Sequence, residues 1–177
     1  MSTVIINGAN AKQSRVTGVE QFVGQFLKKN NVETDVITVH ELPAEDLITA
    51  NYASEAIKNV NRLVEKADTV IVLTPIYKAA YSGILKTYLD LLPQKALENK
   101  FIIPVAVGGS LNHLLAVNYA LKPLLSELGA TEIAKSVYIL DKQISKHEDG
   151  SFSFEDEVEE RLITELKPVL KRQTQKV

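Results

Sequence analysis

The sequence predicts a doubly wound α/β fold, a five-stranded parallel sheet in the order 2-1-3-4-5 with helices on both faces. Three observations carry that prediction. Short β-branched runs alternate with longer segments of helical period, in the series βαβαβαβαβα. The runs Val4–Ile6, Val70–Leu73 and Ile102–Val107 are continuously apolar, as strands buried on both faces are. Right-handed crossovers among five such strands favour this order.

The elements follow in turn. After the strand Val4–Ile6, the residues Val16, Val19, Val23, Phe26 and Leu27 recur at helical steps. A second strand covers Val36–Val39, and Ala53, Ala56, Ile57, Val60, Leu63, Val64 and Ala67 mark the next helix. Val70–Leu73 leads to a helix over Gly83–Leu92, and Ile102–Val107 to one over Leu111–Leu128. A weaker fifth strand covers Ile133–Leu140, the stretch Asp141–Ser153 reads as a loop, and a last helix runs from Glu155 to Lys171. Pro104 has no N–H to give a ladder, which predicts a bulge or local defect in the fourth strand. Pro123 frees the carbonyl of Tyr119, so a kink or a π-bulge is expected there. A Rossmann dinucleotide sheet competes, but no GxGxxG follows the first strand. The flavodoxin-like arrangement is therefore favoured.

Composition narrows the function. A length of 177 residues predicts one domain over 1–177. Twenty basic and 22 acidic residues give 20 − 22 = −2, which suggests neither a nucleic-acid nor an anionic-membrane surface. Zero cysteines exclude thiol chemistry, disulfides and cysteine-ligated metal or iron–sulfur centres. Three histidines make a histidine metal site an unfavoured reading. No apolar run reaches membrane-spanning length, and the N-terminus has no basic leader, so a soluble cytoplasmic protein is expected.

In such a sheet ligands bind beyond the carboxyl ends of the strands, where the order switches. Three loops converge there. The first, Asn7 to Thr17, is small and polar and opens a helix. Its Asn10, Ser14, Arg15 and Thr17 offer donors for a phosphate, though a plain N-cap with a solvated arginine would look the same. The second, Thr74 to Gly83, holds Pro75, Ile76, Tyr77, Lys78, Ser82 and Gly83. Its aromatic and apolar wall suits a flat ring, or a partner subunit. The third holds Gly108, Gly109, Ser110 and His113. Paired glycines let backbone amides approach a planar ligand, and a turn needing positive φ would use the same pair. Together the loops suit a phosphorylated flat heteroaromatic ligand such as FMN, or a nucleotide base with a short phosphate.

At these residues the sequence resembles the NAD(P)H-dependent FMN reductases, and more narrowly the reductase components of two-component alkanesulfonate monooxygenases. The stretches that carry the resemblance are TPIYKAAYSGILKTYLDLLPQKAL (Thr74–Leu97) and PVAVGGSLNHLLAVNYALKPLLSEL (Pro104–Leu128). The run His113–Pro123 is similar to the sulfonate-type branch in particular. Many relatives open the first loop with Gly-Ser-Pro; here it is Gly8-Ala9-Asn10, and Val16 replaces a hydroxyl. The resemblance implies a flavodoxin-like fold, FMN at the three loops, and NADPH or NADH as hydride donor. It implies delivery of reduced FMN to a flavin-dependent monooxygenase serving sulfur assimilation, and assembly as a homodimer or homotetramer. It places Tyr119 as an inserted residue in a π-helix near the flavin and the oligomer interface. No side chain is expected to act as an obligatory acid or base. The alternatives are an FMN-bound quinone, azo or chromate reductase, and a non-catalytic flavin-binding electron carrier.

Overall fold

The computed structural model describes residues 2–175. Five parallel positions form the main sheet. They are β1 (Ser2–Asn7), β2 (Glu33–Thr38), β3 (Thr69–Tyr77), β5 (Phe101–Gly108) and a fifth position shared by β6 (Glu132–Ile133) and β7 (Val137–Leu140). The order is β2-β1-β3-β5 followed by β6 and β7, which is the predicted 2-1-3-4-5 with its last strand interrupted. A short β4 (Ala80–Tyr81) turns back antiparallel on the end of β3. The segment after β7, expected to be a loop, contains an antiparallel hairpin of β8 (Ile144–Lys146) and β9 (Phe152–Phe154).

The uninterrupted apolar strands follow from burial on two sides. On one face Val4, Ile6, Val70, Val72, Ile102 and Ala106 pack against α3 (Glu55–Lys66), α4 (Gly83–Leu89) and α5 (Lys122–Glu127). On the other, Ile5, Ile71, Leu73, Ile103, Val105 and Val107 pack against α1 (Arg15–Lys29) and α6 (Asp156–Gln175). Burial of each such Val, Ile or Leu side chain contributes about 1.5–3 kcal/mol. In α1 the buried positions are Val16, Val19, Val23 and Leu27, the stripe set by three- and four-residue steps. A short α2 (Ala44–Ile48) has too few residues to show a period and is absent from the sequence reading.

Two expectations need correction. Pro104 produces no bulge in its own strand, for it pairs with Val72 in unbroken register. The irregularity lies in the neighbour. Ile102 faces Ile133 and Val105 faces Val137, so residues 134–136 stand opposite 103–104. A strand facing a residue without an N–H loses a ladder bond there, and the fifth strand breaks at that point. The helix expected over Leu111–Leu128 is three pieces. A 3₁₀ turn covers Leu111–His113, a π-helix covers Val117–Leu121, and α5 follows. In the π-helix the Lys122 N–H bonds the carbonyl of Val117, five residues back, next to the place where Pro123 removes a donor.

Candidate functional site

The loop after β1 is pinned before it reaches α1. Asn7 is fully buried, and its amide oxygen accepts from the Ala9 N–H at 2.8 Å while its amide nitrogen donates to Glu20 at 2.6 Å. The Gly8 N–H donates to the carbonyl of Leu73 on β3. A Cβ on Gly8 would lie 2.7 Å from the Cβ of Leu85, so only glycine lets this loop pass over α4. Ser14 then caps α1, its hydroxyl accepting from the Val16 N–H. Arg15 is the exposed first residue of that helix. Its Nε donates to the Ile144 carbonyl at 3.0 Å, and among the described residues no acceptor engages its two terminal nitrogens. Lys146 on the same hairpin donates to Gln13 at 2.7 Å, a second tether on the loop.

The second loop is shorter than the sequence suggested. Pro75, Ile76 and Tyr77 belong to β3, and the turn is Lys78-Ala79, with φ of 49° and 61°. Two consecutive positive φ values match the type I′ hairpin turn, usually filled by Asn or Gly. Tyr77 is half exposed, and its hydroxyl donates to the Asn10 amide oxygen at 3.2 Å across the two loops.

In the third loop neither Gly108 nor Gly109 has positive φ, so a turn does not explain the pair. A Cβ on Gly108 would stand 2.1 Å from the Tyr138 hydroxyl. That hydroxyl donates to the Ser110 carbonyl at 2.6 Å and braces the loop from behind. Burial, with a smaller contribution from the charge of Asp141, pushes the Tyr138 hydroxyl above its ordinary pKa. At Gly109 the space ahead is open, the nearest atom being the Asp141 Oδ2 at 3.6 Å.

The three loops enclose a cleft of about 280 Å³ at the carboxyl ends of β1, β3 and β5. It brings together Asn10, Ser14, Arg15, Pro75, Ile76, Tyr77, Gly108 and Gly109. Thr17, Lys78, Ser82, Gly83, Ser110 and His113 do not line it. Ser82 is only 2% exposed and works internally, donating to the Gly8 carbonyl at 2.7 Å and accepting from the Leu85 N–H. Thr17 turns toward the Asn7 amide, and Gly83 is the exposed first residue of α4. Tyr119 stands in the π-helix, 78% exposed. Sequence reasoning missed Gln13 and Asp141. Asp141 follows a fifth strand whose carboxyl end pairs with that of β5, Leu140 beside Gly108, which is the signal that could have found it.

A larger groove of about 890 Å³ runs along α3 and residues 90–100. Its cations are engaged within the protein, Lys58 with Glu55, Lys95 with Glu98, and Lys100 with the carbonyls of Glu65 and Ala67. The smaller cleft alone joins a helix N-terminus, glycine amides and an aromatic wall. That donor set has the anion-binding and aromatic character that FMN would require.

The family model for NADPH-dependent FMN reductases matches residues 1–144. The chain belongs to that family. It is thus an oxidoreductase, with FMN and a nicotinamide nucleotide as its cofactors. It is 43% identical over 145 residues to an FMN reductase (NADPH) of Pseudomonas putida, covering 82% of this chain and 74% of that one. The corresponding Escherichia coli protein is 42% identical, with 81% and 75% covered. Among solved structures, the apo form of an NADH:FMN oxidoreductase (EMOB) superposes with a TM-score of 0.83 at 30% identity, covering 97% of this chain and 89% of that one. The flavodoxin-like FMN reductase fold agrees with the sheet order described above. No helix among the described residues is long and apolar enough to cross a membrane.

Proposed function

We propose that this reductase binds FMN and NAD(P)H at the cleft and releases reduced FMN to a flavin-dependent monooxygenase of the sulfonate type. The observation that carries the reading is the convergence of the α1 N-terminus, Tyr77 and the Gly108–Gly109 amides on one open cleft. Once bound, flavin and nicotinamide would supply the hydride-transfer chemistry. The chain supplies position. The Ser14 hydroxyl and the Arg15 guanidinium, at the positive end of α1, hold the phosphate. The amides of Gly108 and Gly109 hold the ring edge, and Pro75, Ile76 and Tyr77 wall one side. The partner reading is supported by the run His113–Pro123 and by the π-helix it contains. At lower identity, 27%, the chain is also similar to the NADH-dependent FMN reductase SfnE of Pseudomonas putida, covering 85% of this chain and 83% of that one.

The chain acts as a single domain in the cytoplasm and as a homodimer or homotetramer. Support for assembly comes from Leu111, Leu114, Leu115 and Tyr119, large apolar side chains left exposed on one stretch beside the cleft. The test is NADPH and NADH oxidation by gel-filtered protein, with and without added FMN. Colourless protein that turns over only with FMN supports the reading. Yellow protein with ping-pong kinetics toward a quinone or azo dye would replace it with a bound-flavin reductase.

A further inference from the structure

The cleft contains one charged group that holding a flavin does not use. Asp141 opens the segment after β7 and lines the cleft beside Gly109, its Oδ2 3.6 Å from where a Cβ on that glycine would stand. Among the described residues its carboxylate forms no ion pair, and no hydrogen bond reaches it. Arg15, the cation in the same lining, directs its Nε to the Ile144 carbonyl and forms no ion pair with Asp141. Negative charge therefore stays uncompensated next to the glycine amides, in a half-buried setting where charges are screened less than in water.

Reduction changes the charge of the ligand at that edge. FMN + NAD(P)H + H⁺ gives FMNH₂ + NAD(P)⁺, and FMNH₂ loses its N1 proton near neutral pH to give FMNH⁻. The oxidised ring carries no such charge. We propose that Asp141 is a specificity-determining residue that disfavours reduced FMN relative to oxidised FMN, so that the product leaves the cleft. The proposal rests on the ring edge lying at Gly108 and Gly109. Repulsion between the carboxylate and the reduced ring raises the dissociation constant of the product without touching that of the substrate.

The test is a pair of FMN titrations, oxidised in air and reduced under anaerobic conditions, on wild type, Asp141→Asn and Asp141→Glu. Asp141→Asn should lower the ratio of reduced to oxidised dissociation constants by about tenfold, equivalent to a rise of about 30 mV in the bound midpoint potential. Asp141→Glu should keep the wild-type ratio. Oxidised FMN that binds all three proteins with an unchanged ratio overturns the proposal alone. Wild-type protein that fails to bind oxidised FMN overturns the cleft reading, and this inference with it.

Discussion

Arg15 shows what one side chain contributes. It stands on the surface, makes no ion pair among the described residues, and its Nε bond to Ile144 aims the guanidinium. Arg15→Ala removes one hydrogen bond between the loop and the hairpin and should lower stability by only about 1 kcal/mol. It should weaken FMN binding by about tenfold or more, the scale of hydrogen bonds to a charged group; a fluorescence titration measures this. Lys78 and Ala79 contribute strain. Both sit at positive φ without being glycine, and a left-handed residue costs roughly 1–2 kcal/mol. Ala79→Gly should raise stability by about 1 kcal/mol in urea denaturation. Arg15 and Tyr77 were named from the sequence, where a solvated arginine and a partner-facing tyrosine read the same way; the structure adds that both line one cleft. The internal role of Ser82 was not legible, because a serine that caps a helix and one that lines a ligand site read alike. Only its bonds to the Gly8 carbonyl and the Leu85 N–H separate the two.

At the scale of elements, Ser82 joins the first two loops. Ser82→Ala strands the Gly8 carbonyl in a buried place and removes the cap of α4. It should cost about 1–3 kcal/mol and weaken FMN binding as well, both read from denaturation curves with and without FMN. The elements themselves were legible where period and burial agree, as in α1 and in the strands with two covered faces. The segment Leu111–Leu128 reads as one apolar helix because its spacing does not distinguish 3₁₀, π and α turns. Pro123 gave the one usable signal, since a missing donor forces the local hydrogen bonding to change. The effect of Pro104 was read at the wrong strand. A proline keeps its own extended conformation and deprives its neighbour of a bond. The β8–β9 hairpin and α2 were invisible because neither is long enough to show a period.

For the whole molecule, the two helical layers bury the sheet so completely that several polar groups are trapped, the hydroxyls of Thr3, Thr69 and Tyr88 among them. The Tyr88 hydroxyl is fully buried without a hydrogen-bond partner, and burial holds its pKa far above the ordinary value of 10.0. In the unfolded chain that hydroxyl ionises as pH passes 10, while the folded state keeps its proton. The folded state then binds more protons, so this contribution is complete below pH 10 and falls as pH rises beyond it. Tyr88→Phe should stabilise the protein by up to about 1 kcal/mol at neutral pH. It should also flatten the loss above pH 10, as denaturation at pH 7 and at pH 10.5 would show. Helices cover both faces of the sheet, which is why topology alone pointed to the carboxyl ends of the strands before any residue was placed, and a cleft stands there.

That position can be tested directly by a crystal structure of the chain with FMN. The phosphate should accept hydrogen bonds from the Ser14 hydroxyl and the Arg15 guanidinium, and the ring edge should lie against the Gly108 and Gly109 amides. FMN seated instead in the groove along α3, or in the cleft with its phosphate away from Arg15, would contradict the account.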